Sequence, residues 1–319
     1  MKKPSVTVLV TVKNSVSTIK KCIDSILKLN YPKKKYSIFV VDAFSTDGTW
    51  EILKKYGKKI RLERVRGNIA TGHNYMIKRC NTDFVALTDA DCVVDENWLK
   101  YLIDAFKPEV IAAGGTPKTL SENNKLQELI GRELEDRFKR FPKYVIRLPT
   151  MSLCIRTEYA KKYLFDEKFD VAQETDWGFR ISKVGKIAFV PKAVIYHYHR
   201  STFKTFFKQQ YTYGKFAFSL YSRGGNAKRV FGDWITKPSI ALQVFLSYLG
   251  VLFLLLSLIN SFFFYLSLIF FFTLLMTYFA DALRLSKGIG EFFFFLIIFL
   301  FRNIAWCLGI VRGLFIKFK

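Results

Sequence analysis

The chain has 319 residues, with 50 Lys and Arg against 26 Asp and Glu, for a formal net charge of +24. Half of the residues are hydrophobic and 17% are aromatic, which excludes a disordered polypeptide; the length allows one large domain, or a medium domain with an appendage. A lysine-rich solvated surface accounts for part of the basic excess, and the rest points to nucleic acid, an anionic membrane surface or a phosphorylated substrate.

Five scattered cysteines without a C-x-x-C (Cys22, Cys80, Cys92, Cys154, Cys307) argue against a disulfide framework or a zinc site and for a reducing compartment. The first residues do not read as a signal peptide, because Lys13 interrupts an apolar run that alternates like a strand.

In chain order, Ser5–Thr11 is a β-rich run that gives way to Lys13-Asn14-Ser15. A helix follows with Ile19, Cys22, Ile23, Ile26 and Leu27 on one face. Tyr36–Val41 is a second buried strand ending at Asp42, and Asp47-Gly48-Thr49 opens a helix through about Lys55. Ile60–Val65 reads as a third strand, and Gly67–Asn74 as a glycine-punctuated loop before a short helix at Tyr75–Arg79. The apolar run Phe84–Leu87 then leads directly into Asp89-Ala90-Asp91. Two carboxylates at the end of a buried strand repel each other and lose solvation, and a hard divalent cation relieves both costs.

Strand–helix alternation at this spacing predicts βαβ units and a mostly parallel sheet with helices on both faces. Ligands bind such sheets beyond the carboxyl ends of the strands. Lys13-Asn14, Asp42 and Asp89-Ala90-Asp91 all fall at those ends, and this co-location lifts the D-x-D above a solvated turn. No G-x-G-x-x-G follows the first strand, which disfavours a dinucleotide-binding dehydrogenase. Farther on, Glu96–Phe106 reads as a helix and Val110–Gly115 as a strand ending in Gly114 and Gly115. Paired glycines there suit a close approach of the backbone to a ligand or a tight turn. Ser121–Arg140 is a charged helical stretch without an evident role, and Thr150–Ile155 another strand. A second acidic cluster, Phe165–Trp177, runs into a helix, followed by strand-like segments ending at His197.

The segments V-T-V-K-N, V-V-D-A-F-S-T-D-G-T, T-D-A-D-C and Q-E-T-D-W-G-F-R, with P-x-A-x-I-Y-H at Pro191–His197, together resemble glycosyltransferase family 2 over roughly residues 5–215. The resemblance implies a GT-A fold, a nucleotide-sugar donor and a divalent cation, Mg²⁺ or Mn²⁺. It implies that Asp42 contacts the nucleotide base, Asp89 the nucleoside, and Asp91 the metal that bridges the diphosphate. Lys13, Asn14, Gly114 and Gly115 join the donor site, and His197 matches a histidine that some relatives use near the metal. An inverting transfer to a hydroxyl needs a carboxylate base. Gln173-Glu174-Thr175-Asp176 departs from the usual E-D, so Glu174 is the first candidate base and Asp176 the second, against the alternative of acids favoured by a helix N-terminus. Two further departures stand out. Ala43-Phe44 replaces the acidic or glycine residues common after the first Asp, and Gln209–Tyr213 lacks the Arg and Trp of Q-x-x-R-W, which argues against a polysaccharide synthase.

Beyond the catalytic stretch (residues 1–200), residues 201–238 mix Phe203, Phe206, Phe207, Tyr211, Phe216 and Phe218 with lysines, as an interfacial amphipathic segment does, although packing against the catalytic domain would give the same pattern. Residues 239–319 hold three apolar stretches, 240–259, 262–280 and 292–314, and about 20 apolar residues suffice to span a bilayer. The third contains Arg302, Asn303 and Arg312, which are costly in lipid unless paired or near water. Basic residues before Ser239 and at Arg284 and Lys287 favour those flanks, and with them the catalytic domain, on the cytoplasmic side of a cell membrane.

The expectation is therefore a multi-pass membrane glycosyltransferase that moves a sugar from a UDP- or GDP-linked donor to a hydroxyl of a lipid-linked or membrane-proximal glycan. Membrane lipids are its surroundings, and nucleic acid is not a partner. Two other readings stay open: a polyprenyl-phosphate sugar synthase, whose anionic acceptor needs no base, and a silent scaffold that binds nucleotide sugars without transferring them.

Overall fold

The computed structural model describes residues 3–121, 123–222 and 235–315. It divides into two compact units, Met1–Leu120 with Phe138–Tyr198, and Ser121–Arg137 with His199–Lys319.

The first unit runs β1 (Val6–Val12), α1 (Ile19–Leu27), β2 (Tyr36–Asp42), α2 (Thr49–Lys54), β3 (Arg61–Arg64), α3 (Ile69–Arg79), β4 (Phe84–Asp89), β5 (Cys92–Val94), α4 (Trp98–Asp104) and β6 (Val110–Thr119). After α5 (Lys125–Phe138), nearly all of which belongs to the second unit, it continues with β7 (Tyr144–Val145), β8 (Leu153–Arg156), α6 (Thr157–Lys162), α7 (Gln173–Ile181) and β9 (Lys186–His197). The sheet order is β3-β2-β1-β4-β8-β6-β9-β5, with β7 also on β9.

The parallel expectation holds for β3-β2-β1-β4, where crossover helices join the strands. Beyond β4 the sheet is mixed: β8 runs antiparallel to β4 and β6, and β5 and β7 antiparallel to β9. The core is made of the inward residues Val6, Val8, Val10 and Val40 with Ile19, Cys22, Ile23 and Ile26 of α1, all fully buried. Register levels the strand ends, since Val12 pairs with Asp42 and Thr11 with Asp89.

Three local readings change. The stretch expected as a loop at Gly67–Asn74 is already helical from Ile69, because Asn68 caps the helix by accepting from the Thr71 N–H at 3.0 Å. Gly72 is tolerated inside α3 because a Cβ there would lie 2.8 Å from Thr11 Cγ2. The strand expected to end at Gly115 continues to Thr119. The segments on either side of Pro191 form one strand, β9, whose register against β6 shifts between Gly115 and Thr116.

In the second unit, α8 (Phe203–Ser222), α9 (Pro238–Leu256), α10 (Phe262–Leu285) and α11 (Ile289–Leu314) accompany α5. Residues 223–234, within the stretch expected to be interfacial, and the last four residues lie outside those described. Helices α9, α10 and α11 are each long and apolar enough to cross a membrane. Their outer faces stay uncovered, with Leu255 of α9 61%, Phe272 of α10 63% and Phe293 of α11 57% exposed. The amphipathic α8 packs along α11: a Cβ on Gly309 would meet Tyr211 O, one on Gly313 Lys215 O, and one on Gly214 Trp306 O, so glycines permit backbone-to-backbone contact. Gln210, in the expected Q-x-x-R-W region, accepts from Trp306 Nε1 at 3.0 Å.

Arg302 and Asn303, expected to be costly in lipid, are 3% and 5% exposed and paired. Arg302 donates to Glu133 Oε1 at 2.6 Å and Gln243 Oε1 at 3.1 Å, and Asn303 donates to Ser247 Oγ at 2.6 Å. The charged stretch without an evident role thus becomes α5, which supplies the counterion.

Candidate active site

The carboxyl edge of β1, β2 and β4 gathers the predicted residues. Asp42, at the end of β2, is completely buried; its carboxylate accepts from the Ser45 N–H at 3.1 Å and from Arg64 Nε at 3.0 Å. Asn14, with φ of 51°, takes the left-handed conformation that asparagine tolerates. It stitches two loops together, since its N–H donates to Ser45 Oγ and its Oδ1 accepts from the Thr46 N–H, both at 2.9 Å. Lys13 is exposed beside it.

Asp89 ends β4 and accepts from Thr150 Oγ1 at 3.3 Å. Burial, and then the charge of Asp91, push its carboxyl well above the ordinary range, while His197 pulls the other way.

The three-residue strand β5 makes the decisive link. It pairs Cys92 directly with His197 at the end of β9. Consequently the Asp91 carboxylate reaches within 3.5 Å of His197 Nε2. Asp91, Cys92 and His197 form a group able to hold a metal ion. The Cys92 thiol is pushed far up by burial, and then by Asp91. Beside it stand the Asp91 carboxylate and the His197 imidazole. Together they offer oxygen and nitrogen donors to a divalent cation.

The two candidate bases part company. Asp176 is 6% exposed and accepts from Arg180 Nε at 2.8 Å, one turn along α7, while Arg180 also donates to Leu164 O. Glu174 is half-buried and takes a hydrogen bond from Thr175 Oγ1 at 3.3 Å. Burial raises its pKa, with Arg147 and Thr175 only partly opposing. It also lies close enough to Asp89 to raise that carboxyl's pKa.

Gly114 and Gly115 have a protein explanation. A Cβ on Gly115 would lie 1.8 Å from Ala193 O, and one on Gly114 2.5 Å from Ser152 O. The close approach is to neighbouring strand and turn backbone. Ser152 Oγ also accepts from Gly115 N–H at 3.0 Å and Trp98 Nε1 at 2.8 Å, locking this layer beneath the site. Residues that sequence reasoning passed over are Arg64, which holds Asp42, Thr150 on Asp89, and Arg147, which donates to Thr175 Oγ1 at 2.8 Å. None of them sits in a motif of its own, so only the fold reveals them.

Comparison with known proteins fits this geometry. Residues 7–163, which carry β1 through β4 and the acidic triplet, match the family described as Glycosyl transferase family 2. Over 234 residues the chain is 26% identical to the dolichyl N-acetyl-alpha-D-glucosaminyl phosphate 3-beta-D-2,3-diacetamido-2,3-dideoxy-beta-D-glucuronosyltransferase of Methanococcus voltae, covering 66% of this chain and 71% of that protein. It is 31% identical over 102 residues to glycosyltransferase AglE of Haloferax volcanii, covering 30% of this chain and 34% of AglE. The mannosyltransferase PcManGT of Pyrobaculum calidifontis, solved with GDP-Man and Mn²⁺, shares the fold with a TM-score of 0.65 at 16% identity, covering 98% of this chain and 88% of that one. The family match and the shared architecture agree with the acidic edge built above: residues 7–163 carry a family 2 glycosyltransferase domain, and the chain is a glycosyltransferase on a GT-A fold.

Proposed function

We propose that this chain is a membrane-bound inverting glycosyltransferase that uses a nucleotide-sugar donor, UDP- or GDP-linked, and a hydroxyl acceptor on a lipid-linked or membrane-proximal glycan. The observation that carries the reading is the 3.5 Å approach of Asp91 Oδ1 to His197 Nε2 just beyond the β4 end. Asp91 and His197 would hold the divalent cation there, Mn²⁺ or Mg²⁺. When bound, it neutralises charge on the departing nucleoside diphosphate.

Asp42 and Asp89 organise the nucleoside end of the donor, with Lys13 and Asn14 at the same edge. Glu174 takes the proton from the acceptor hydroxyl, whose oxygen forms a bond to the anomeric carbon as the bond from that carbon to the phosphate oxygen breaks. The leaving nucleoside diphosphate keeps the electron pair. A raised pKa suits Glu174 to this task, since a base works best near the operating pH. Asp176, committed to Arg180, keeps α7 in place.

Residues 1–200 are the catalytic part, residues 201–238 an interfacial segment, and residues 239–319 the anchor. Lys237 at the start of α9 and Arg284 at the end of α10 mark the flanks on the cytoplasmic side, where nucleotide sugars and reduced cysteines are found. A lipid-linked acceptor is in keeping with the name of the Methanococcus voltae relative, whose acceptor is a dolichyl phosphate sugar.

The test is donor binding and hydrolysis across a nucleotide-sugar panel, with and without Mn²⁺ or Mg²⁺, for wild type and Asp91→Ala. A metal-dependent signal for one donor, lost in the variant, is the expected result and names the sugar. Silence with every donor and either metal would overturn the proposal.

A further inference from the structure

Phe44 stands where a glycine would be easier. Its φ of 57° is left-handed, a conformation disfavoured for a residue with a Cβ and free for glycine. The surrounding loop does not let it relax. Ser45 N–H is tied to Asp42, Asn14 N–H to Ser45 Oγ, Thr46 N–H to Asn14 Oδ1, and Thr49 N–H to Asp47. Backbone strain retained against such constraints is typical of functional sites.

The side chain gains nothing from the core, being 39% exposed. Instead it is flanked by cations. The Arg66 guanidinium carbon lies 4.8 Å from the ring centroid and that of Arg64 5.3 Å. Arg64 is itself fixed, 4.1 Å from the Trp50 ring centroid on one side and hydrogen-bonded to Asp42. A held aromatic face among oriented guanidinium groups is a surface on which a planar base stacks and to which its phosphates are drawn. It lies at the end of β2, two strands from Asp89 across β1.

We infer that Phe44, with Arg64 and Arg66 beside it, is the stacking platform for the donor's nucleobase, and that the buried Asp42 is a positioning residue acting through Arg64. This rests on the nucleotide-sugar reading proposed above. Every base has a π-face, so the platform contributes affinity for purine and pyrimidine alike.

Calorimetric titration of UDP, GDP and inorganic pyrophosphate into the full chain in detergent with Mn²⁺ tests it, for wild type, Phe44→Gly and Phe44→Trp. The glycine variant should bind whichever nucleoside diphosphate the wild type prefers about ten-fold more weakly or worse. It should bind pyrophosphate as the wild type does and melt no lower, because glycine suits the left-handed position; Phe44→Trp should restore nucleotide affinity. Equal nucleotide affinity in Phe44→Gly overturns the inference, and so does a parallel loss of pyrophosphate binding. A wild type that binds neither UDP nor GDP overturns the donor reading itself, and this inference falls with it.

Discussion

Both units bury acids, and they treat them in opposite ways. At the sheet edge, burial raises the carboxyl pKa values of Asp89 and Glu174; Asp91 and Glu174 add to the rise at Asp89, and Arg147 and Thr175 only partly oppose it at Glu174. In the helical unit, Glu133 is buried more deeply still, and against that burial Arg302 and Arg137 hold its carboxyl far below the usual range. Arg302 and Arg137 touch it at 2.6 and 2.9 Å, and Lys237 stands 4.0 Å away. Asp136 and Asp281 likewise meet Arg284, and Glu291 meets Lys125 and Arg132. Carboxylates already neutralised by the chain are structural. Those left with their charge uncompensated are the ones a bound cation or a reacting proton can use.

The largest effect expected from this contrast is on the chemistry. Glu174→Gln should lower turnover on a hydroxyl acceptor by about 10²-fold or more, as removal of a general base does, while leaving donor binding intact. The pH profile of the wild type carries a second signature. The base acts only when ionised, and its pKa is raised. Activity should therefore fall, as pH is lowered, at a higher pH than an ordinary carboxylate near 4.3 would give. An acid limb at the ordinary position, or a Glu174→Gln variant with full turnover, would remove Glu174 from the role.

In the helical unit the same conservative change should act on stability. Glu133→Gln leaves Arg302, Arg137 and Lys237 facing a neutral amide, and breaking a buried ion pair costs about 3–5 kcal/mol. Thermal unfolding in detergent should drop accordingly, while turnover per folded molecule is retained. The pH sign follows from the lowered carboxyl. Its stabilisation is complete above the unfolded value near 4.3 and fades as the pH falls below it toward the folded value. The wild type should lose that increment in acid, and Glu133→Gln should not. Equal stability of the two proteins at neutral pH would mean that the cluster contributes nothing net.

How much of this the sequence discloses differs between the units for a physical reason. Strand ends in a parallel sheet are readable, because buried strands are short apolar runs that stop at polar residues; the placement of Asp42, Asp89 and Asp91 at one edge is legible that way. The partner of Asp91 was harder to see. Strand β5 has three residues, too few for any periodicity, yet its pairing of Cys92 with His197 builds the metal-competent pair. Here the family resemblance supplied His197, and the residues alone would not have. The helical unit is the reverse case. Its apolar spans are obvious from composition, but the Glu133–Arg302 contact joins positions 169 residues apart. In sequence the charges of Ser121–Arg140 show no evident role, and that contact places Glu133 of α5 inside. The start of α3 was hidden by Gly67 and Gly72, whose turn-like character is overridden by the Asn68 cap and by packing on Thr11.

The smallest effect concerns the second acid of α7, which lies two residues from Glu174 and belongs to the structural kind. Asp176 is buried and bound to Arg180, whose other nitrogen anchors the helix to Leu164 O. The Arg180 side chain is 38% exposed, so solvent screens the pair and its loss is worth only about 1 kcal/mol. Asp176→Asn should lower the melting temperature slightly and keep most of the turnover. Two neighbouring acids on one helical turn would then separate cleanly, one by rate and one by stability. If Asp176→Asn instead abolished transfer without shifting the melting temperature, the proton would be going to Asp176. The Arg180 bridge would then have to open in the complex with substrate, and Glu174 would be the acid that merely shapes the field.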